Sequence, residues 1–275
     1  MFNGISKWNK EQLRNESASD RVAGTIRSLS FGYMLGGLLK SAVINSTQPI
    51  IVGVPELKKY MREKGIQGPS APVMLKASSD VLRNKTSDIE KTLMHEMVEK
   101  GIASDQYIQS IFENVRGKFG QKFYGTMRFL ALPFSKVEIH NRLTTVVAMF
   151  RLAYPIELKK AQSEGLKGKE AEDQAYQKAF DQARIFNNNV NYAYGKVNKP
   201  MFIQSGDFPG AVGSALYTFK AFPQNFLLRQ AELLSAKDFR TFAHTMAYVA
   251  MFGGLMGLPF FKDLFDFQNS ILWLF

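Results

Sequence analysis

Apolar residues along this chain recur at helical spacing or in short unbroken runs, and no stretch longer than a few residues alternates as a strand does. The pattern predicts an all-α protein. From Ser28 to Pro55 only Lys40 is charged, and the first part, FGYMLGGLLKSAVI, reads as an apolar helix of about four turns. Asn45 to Gln48 then put consecutive polar side chains into the run, and Pro49 removes an amide donor. Two short apolar helices broken at 45–49 fit this better than a continuous membrane span. ELKKYMREKG reads as a solvated helix closed by Gly65. QGPSAP, at 67–72, cannot continue a helix and places a domain boundary near residue 70. Val81, Leu82, Ile89, Leu93, Met94 and Met97 lie close to helical spacing, with Gly101 as the stop. Ser104 then caps a helix carrying Tyr107, Ile108, Ile111, Phe112 and Val115 on one stripe.

Further on, SKVEIHNRLTTVVAMFRLAY has Ser135 as an N-cap and Glu138 in the capping-box position, so a helix is expected to begin there. Residues 157–183, rich in Lys, Glu, Gln and Ala, read as two helices in water with a turn at Gly165 to Gly168. The helical pattern continues from Arg184 into the asparagine-rich NNNVNYAYGKVN, and Pro200, Gly206, Pro209, Gly210 and Gly213 mark a second connector. The 21 residues 241–261, TFAHTMAYVAMFGGLMGLPFF, hold no Asp, Glu, Lys or Arg. As one helix they would cross a hydrocarbon core of about 30 Å. Phe242, Phe260, Phe261, Arg240 and Lys262 resemble interface anchors in type. His244, Thr245, three glycines and Pro259 speak for the other reading, a buried core helix broken at Gly253 and Gly254. The expected architecture is an irregular multi-helix assembly with broken apolar helices and a capacity for membrane activity. Its parts are an apolar helical region over 1–70, an amphipathic helical region over 71–200, and a C-terminal apolar helical region over 201–275. Residues 1–31 lack the ordered basic, apolar and small-residue pattern of a signal peptide.

Composition narrows the chemistry. At 275 residues, 45% hydrophobic and 21% charged, the chain is long and apolar enough to bury a core. With no cysteine it can form neither a disulfide scaffold, nor a cysteine-ligated metal site, nor a thiol nucleophile. His95, His140 and His244 are far apart in sequence. The net charge of +11 favours anionic partners, nucleic acid or acidic lipid. It is concentrated in 116–155, where Arg116, Lys118, Lys122, Arg128, Lys136, Arg142 and Arg151 face the single acid Glu138. Phe119, Phe123, Tyr124, Phe129 and Phe134 are interleaved with them. Bases stack on such rings while phosphates pair with the cations, and the same mixture suits a helix lying on anionic lipid; an ordinary solvated basic face is the third reading.

No reaction centre emerges from spacing. HEMVE, at 95–99, lacks the second histidine of the zinc-protease helix motif, which points to a surface helix. Glu138 and His140 are two apart and fall on different helix faces. Asp263 and Asp266 form a lone carboxylate pair, GYMLGG is followed by no Lys-Ser or Lys-Thr, and no nucleophile elbow occurs. We therefore expect no enzyme, no cofactor, no metal and no small-molecule substrate. Gly32 with Gly36, and Gly253 with Gly257, each make a G-x-x-x-G step in an apolar stretch, which permits close helix association in lipid or in a soluble core.

Four segments together carry a resemblance. GYMLGGLLKSAVINSTQPIIVGVPEL holds an apolar helix, an Asn-Ser/Thr-Gln step and a Gly-x-Pro stop. FSKVEIHNRLTTVVAMFRLAY places a small and an acidic residue ahead of an Asn-Arg pair and an aliphatic run. NNNVNYAYGKVNKPMFIQSGDFPGAVGSALYTFKAFPQNFLLRQAELL and AMFGGLMGLPFFKDLFD follow in order. The chain resembles the helical C-terminal regions of the large polyvalent proteins of tailed bacteriophages and prophages, over about two thirds of its length. That resemblance implies a structural, internal virion or DNA-ejection protein, packaged in the head and released into the host cell envelope with the genome. It implies self-association or other virion proteins as partners, carries over no catalytic residue, and leaves room for the chain to be a piece of a longer one. A basic helical nucleic-acid-binding protein without a membrane role is the alternative.

Overall fold

The structure, a computed structural model, describes residues 45–104, 118–192 and 221–254. In the helix starting at Lys118, side chains are described at Phe129 and from Leu132 onward; in the one starting at Ala221, from Pro223. All regular elements among the described residues are helical, as the spacing predicts. A short π-helical turn, Pro49–Gly53, leads into α1 (Val54–Glu63). There follow α2 (Ser70–Leu82), α3 (Asp88–Glu99), α4 (Lys118–Ser163), α5 (Gly168–Asn191), α6 (Ala221–Ser235) and α7 (Phe239–Gly253).

The π-helical turn has a local cause. Pro55, in the first turn of α1, lacks an amide proton, and its ring needs the carbonyl four residues earlier moved aside; the widened turn just before it provides that displacement. Gly53 closes the turn where chains crowd. A Cβ built there would lie 2.8 Å from Met74 Cε, 3.4 Å from Val190 Cγ1 and 3.7 Å from Thr145 Cγ2, so α2, α5 and α4 all converge on this residue.

The centre of the molecule is the α4–α5 hairpin. Its turn uses Gly165 at φ +94° and Gly168 at φ +54°, in the place the sequence indicates. On α5 the buried side chains include Ala171, Ala175, Ala179 and Ala183, each four residues after the last. This row of small residues lets α5 lie close against Val146, Val147, Phe150 and Ala153 of α4. Phe150 stacks on Tyr154 at 5.2 Å and meets Tyr176 of α5 edge-on at 5.7 Å. The expectation of two helices in water over 157–183 is therefore corrected: the polar residues cover one face of α5, while the alanine row is buried and adds Ala179 and Ala183 to the core.

Two further readings change. Ser135 is no N-cap, because α4 runs through it as one helix of 46 residues, about 69 Å long, with Pro133 and Pro155 inside. Glu138 sits one turn before Arg142 and pairs with it at 3.2 Å instead of closing a capping box. An interior proline costs a helix about 3 kcal/mol; burial of the turns that follow, from Asn141 to Ala153, outweighs that local penalty. Packing also continues across residue 70. Ser70 Oγ donates to Val54 O at 2.9 Å, and one continuous core joins Val52, Leu57, Met74, Leu93, Val147, Phe186 and Phe226. It draws on all three regions expected from the sequence.

Helix stops follow the glycines. Gly65 at φ +68° ends α1 and Gly101 at φ +69° ends α3. At the other end of α3, Ser87 N donates to Glu90 Oε2 at 2.9 Å in a capping box. The apolar stretch 241–261 is not one helix: α7 ends at Gly253, and Gly254 at φ +65° and ψ −177° turns the chain out of it. Among the described residues, no helix is long and apolar enough to cross a membrane.

Candidate functional site

The densest polar constellation lies where α4, the C-terminal end of α5 and the 45–53 segment meet. Arg142, 0% exposed, stands at its centre. Its Nε and Nη2 donate to Glu138 Oε1 at 3.3 and 3.2 Å. Nη2 also donates to Tyr192 O at 3.0 Å and Asn191 O at 3.4 Å, and Nη1 to Ile102 O at 3.4 Å. Helices leave their last carbonyls without intrahelical donors, and a cation there also complements the helix dipole. Arg142 thus serves as the cap that α5 does not supply from its own sequence. Gln48 Nε2 adds a second donor to that end, reaching Val190 O at 2.9 Å.

Around the guanidinium, amides complete the set. Asn191 Nδ2 donates to Thr145 Oγ1 at 2.8 Å and to Asn187 Oδ1 at 2.9 Å. Asn187 Nδ2 reaches Ile102 O at 3.2 Å, and Thr145 Oγ1 lies 3.0 Å from Asn187 Oδ1. Asn141 Nδ2 donates to Asn45 O at 2.8 Å. Three sequence motifs that are far apart along the chain therefore touch: the Asn-Ser-Thr-Gln step at 45–48, the Asn141–Arg142 pair, and the asparagine-rich end of α5. Burying such groups is favourable only if their hydrogen bonds are met, and here they are met by one another and by helix ends.

Ion pairs fasten the outer helices. Arg151 of α4 bridges Glu90 of α3, at 2.6 and 3.2 Å, and Asp80 of α2, at 2.8 Å. Burial pushes the Glu90 carboxyl up, but the Arg151 guanidinium and the Ser87 amide outweigh it and hold the group below the ordinary glutamate value. Arg229 of α6 grips both oxygens of Glu56 on α1 at 2.8 Å, a bidentate pairing. Arg62 Nη2 of α1 lies 2.7 Å from Asp238 Oδ1, at the start of α7. His140 of α4 meets Ser78 Oγ of α2 at 3.0 Å through Nε2, and burial lowers its pKa.

The basic segment fares unevenly. Arg142 and Arg151 are not available to lipid or DNA: the first is wholly enclosed and the second is occupied by two carboxylates. Arg142 lies in phase with the buried stripe of α4, whereas Arg151, nine residues on, faces the opposite side, toward the carboxylates of α2 and α3. Lys136 is exposed, as are Leu132 and Phe129, one and two turns before it on the same face. Lys118, Lys122 and Arg128 lie on the α4 backbone, their side chains outside the described residues; Arg116 lies outside them altogether. Gly32, Gly36 and Gly257 also fall outside. Gly253 ends α7, and a Cβ there would meet nothing within 4 Å, so it makes no close helix approach among the described residues. His95 pairs with Glu99 at 3.4 Å on the exposed face of α3, and no metal-holding group occurs among the described residues.

Sequence reasoning overlooked two surfaces. Helix α7 packs inward through Thr241 and Thr245 while Phe239, Ala243, Ala247 and Met251 face out, with Phe239 60% and Met251 73% exposed. Helix α2 exposes Leu75 and Leu82. The chain has no significant match among protein-family models, curated proteins or solved structures.

Proposed function

We propose that this chain is a non-enzymatic structural protein of the internal virion, DNA-ejection type found in tailed bacteriophages, working by assembly and by association with membrane during genome delivery. The observation that carries the reading is the convergence of the resembling motifs on one buried hub. Asn45, Gln48, Asn141, Arg142, Asn187 and Asn191 engage one another and helix ends, so what these motifs encode is a joint between helices. Function is left to surfaces. The outward face of α7 carries Phe239, Ala243, Ala247 and Met251, and small residues four apart beside large apolar ones suit helix-to-helix association or insertion at a bilayer surface. The net charge of +11 adds attraction to anionic lipid.

A membrane is favoured over nucleic acid as the main partner because two of the seven cations in 116–155 are consumed inside the fold, while apolar side chains stand in solvent. Flotation of the protein with vesicles of anionic and zwitterionic lipid, at low and high salt, tests this, with DNA retention measured in parallel. The expected result is flotation with anionic vesicles, partly retained at high salt because apolar contacts are not screened. A protein that ignores vesicles and binds DNA with a steep salt dependence would replace this reading with the nucleic-acid one.

A further inference from the structure

The surface of α2 is unusual for a helix clamped so firmly on its other side. Ser70, Met74 and Ala77 are buried, and Ser78 and Asp80 are tied to His140 and Arg151 of α4. On the outward arc, Leu75 is 53% and Leu82 76% exposed. They are seven residues apart, so they line up to within about 20° around the helix axis. Lys76 and Arg83, also exposed and also seven apart, form a second row beside them, with exposed Pro72 between the rows. Asn84 at φ +53° closes the helix, and Lys85 N bonds back to Asp80 O at 2.7 Å, which fixes a third exposed cation at the same end.

Among the described residues, no carboxylate answers these cations. Asp80, the single acid of α2, is taken by Arg151, and Asp88 beyond the turn is matched by Lys91 at 2.9 Å. Among the described residues, Lys76, Arg83 and Lys85 have no ion-pair partner. A row of protruding leucines beside a row of unpaired cations matches the boundary between acyl chains and anionic headgroups, where leucine enters the apolar layer and lysine or arginine stays at headgroup level. DNA would satisfy the cations and leave the leucines in water.

We infer that the outward face of α2, formed by Leu75, Leu82, Lys76, Arg83 and Lys85, is a docking surface for an anionic phospholipid bilayer. This rests on the membrane reading above and assigns that contact to a place the basic segment 116–155 does not include. The face is presented by a helix held rigidly to the core, so binding requires no refolding.

The test exploits the absence of cysteine. Leu82→Cys, and Lys169→Cys on the exposed face of α5 as a control, are labelled with an environment-sensitive fluorophore and mixed with vesicles of phosphatidylglycerol and phosphatidylcholine, or of phosphatidylcholine alone. The expected result is a blue shift and quenching by lipid-borne quencher at position 82 only, with phosphatidylglycerol present. In the unlabelled full chain, each of Lys76→Gln, Arg83→Gln and Lys85→Gln should weaken partitioning about fivefold, and Leu82→Ser about tenfold. All of these positions are exposed, and an unchanged thermal melt verifies folding. Flotation of the parent chain that is unaffected by every one of these substitutions, with no shift at 82, would overturn the inference and leave the membrane reading standing. Failure of the parent chain to float would overturn both. Loss of DNA retention with vesicle binding unchanged would make this a nucleic-acid surface and overturn the lipid assignment.

Discussion

Arg142 shows how little a residue's type says about its place. Counted with its neighbours it is one of seven cations in a basic segment, yet it lies in register with Thr145, Val146, Met149 and Ala153, the buried stripe of α4. Two signals in the sequence point inward: that register, and Glu138 one turn earlier. What the sequence does not display is the open end of α5, to which the guanidinium bonds. His140, two residues away, gives a measurable consequence. Burial lowers its pKa in the fold, while the unfolded chain titrates near the ordinary value of about 6.5. The folded state thus binds fewer protons in this range, and stability should fall as pH drops through about 6.5 toward the folded pKa. Glu90 and Asp238, both held below their ordinary values, cause a separate loss at more acid pH, as protons are forced onto them. Urea unfolding as a function of pH should show the upper step in the parent chain, and His140→Gln should remove it while leaving the lower one. An upper step that survives the substitution would place the titrating group elsewhere.

At the scale of elements, the ends of helices were more legible than their continuity. Gly65, Gly101 and the Gly165–Gly168 turn stand where the sequence places them, because a left-handed backbone at a helix end is a local need that glycine meets by itself. The unbroken run of α4 through Pro133 and Pro155 was not legible, since it depends on burial against helices distant in sequence. The alanine row of α5 was visible in the spacing but masked by the charges around it. Gly53 joins the two kinds of information: in sequence it belongs to a Gly-x-Pro stop, and in space side chains of α2, α4 and α5 all crowd against it. Alanine there would meet the flexible tip of Met74, which can move. Leucine would also meet Val190 and Thr145, both branched at Cβ and held in the core. Gly53→Leu should therefore cost about 1–3 kcal/mol by overpacking, and Gly53→Ala distinctly less, as read from urea midpoints. Equal costs for both would mean that Gly53 acts through its backbone and not through the space it leaves.

For the whole molecule, the class was readable from the sequence, while the packing between its regions was not. Helical periodicity and the lack of alternating stretches suffice for an all-α chain, but the three regions drawn at 70 and 200 merge in one core that includes Val52, Met74, Val147 and Phe226. Prolines and glycines at 67–72 mark a turn, and whether a turn is also a boundary depends on what packs across it. Here Ser70, the Arg229–Glu56 pair and the Arg62–Asp238 pair reach over such breaks. The polar hub holds the centre of this arrangement, and it is the claim on which the proposed role rests: motif residues joined to one another, with surfaces left for partners. A double-mutant cycle in urea on Thr145→Ala and Asn191→Ala, both buried and 2.8 Å apart across the α4–α5 interface, measures that joint directly. The account predicts a coupling of about 1 kcal/mol or more, as expected for neighbours in one hydrogen-bond network, whereas additivity to within about 0.3–0.5 kcal/mol would contradict it.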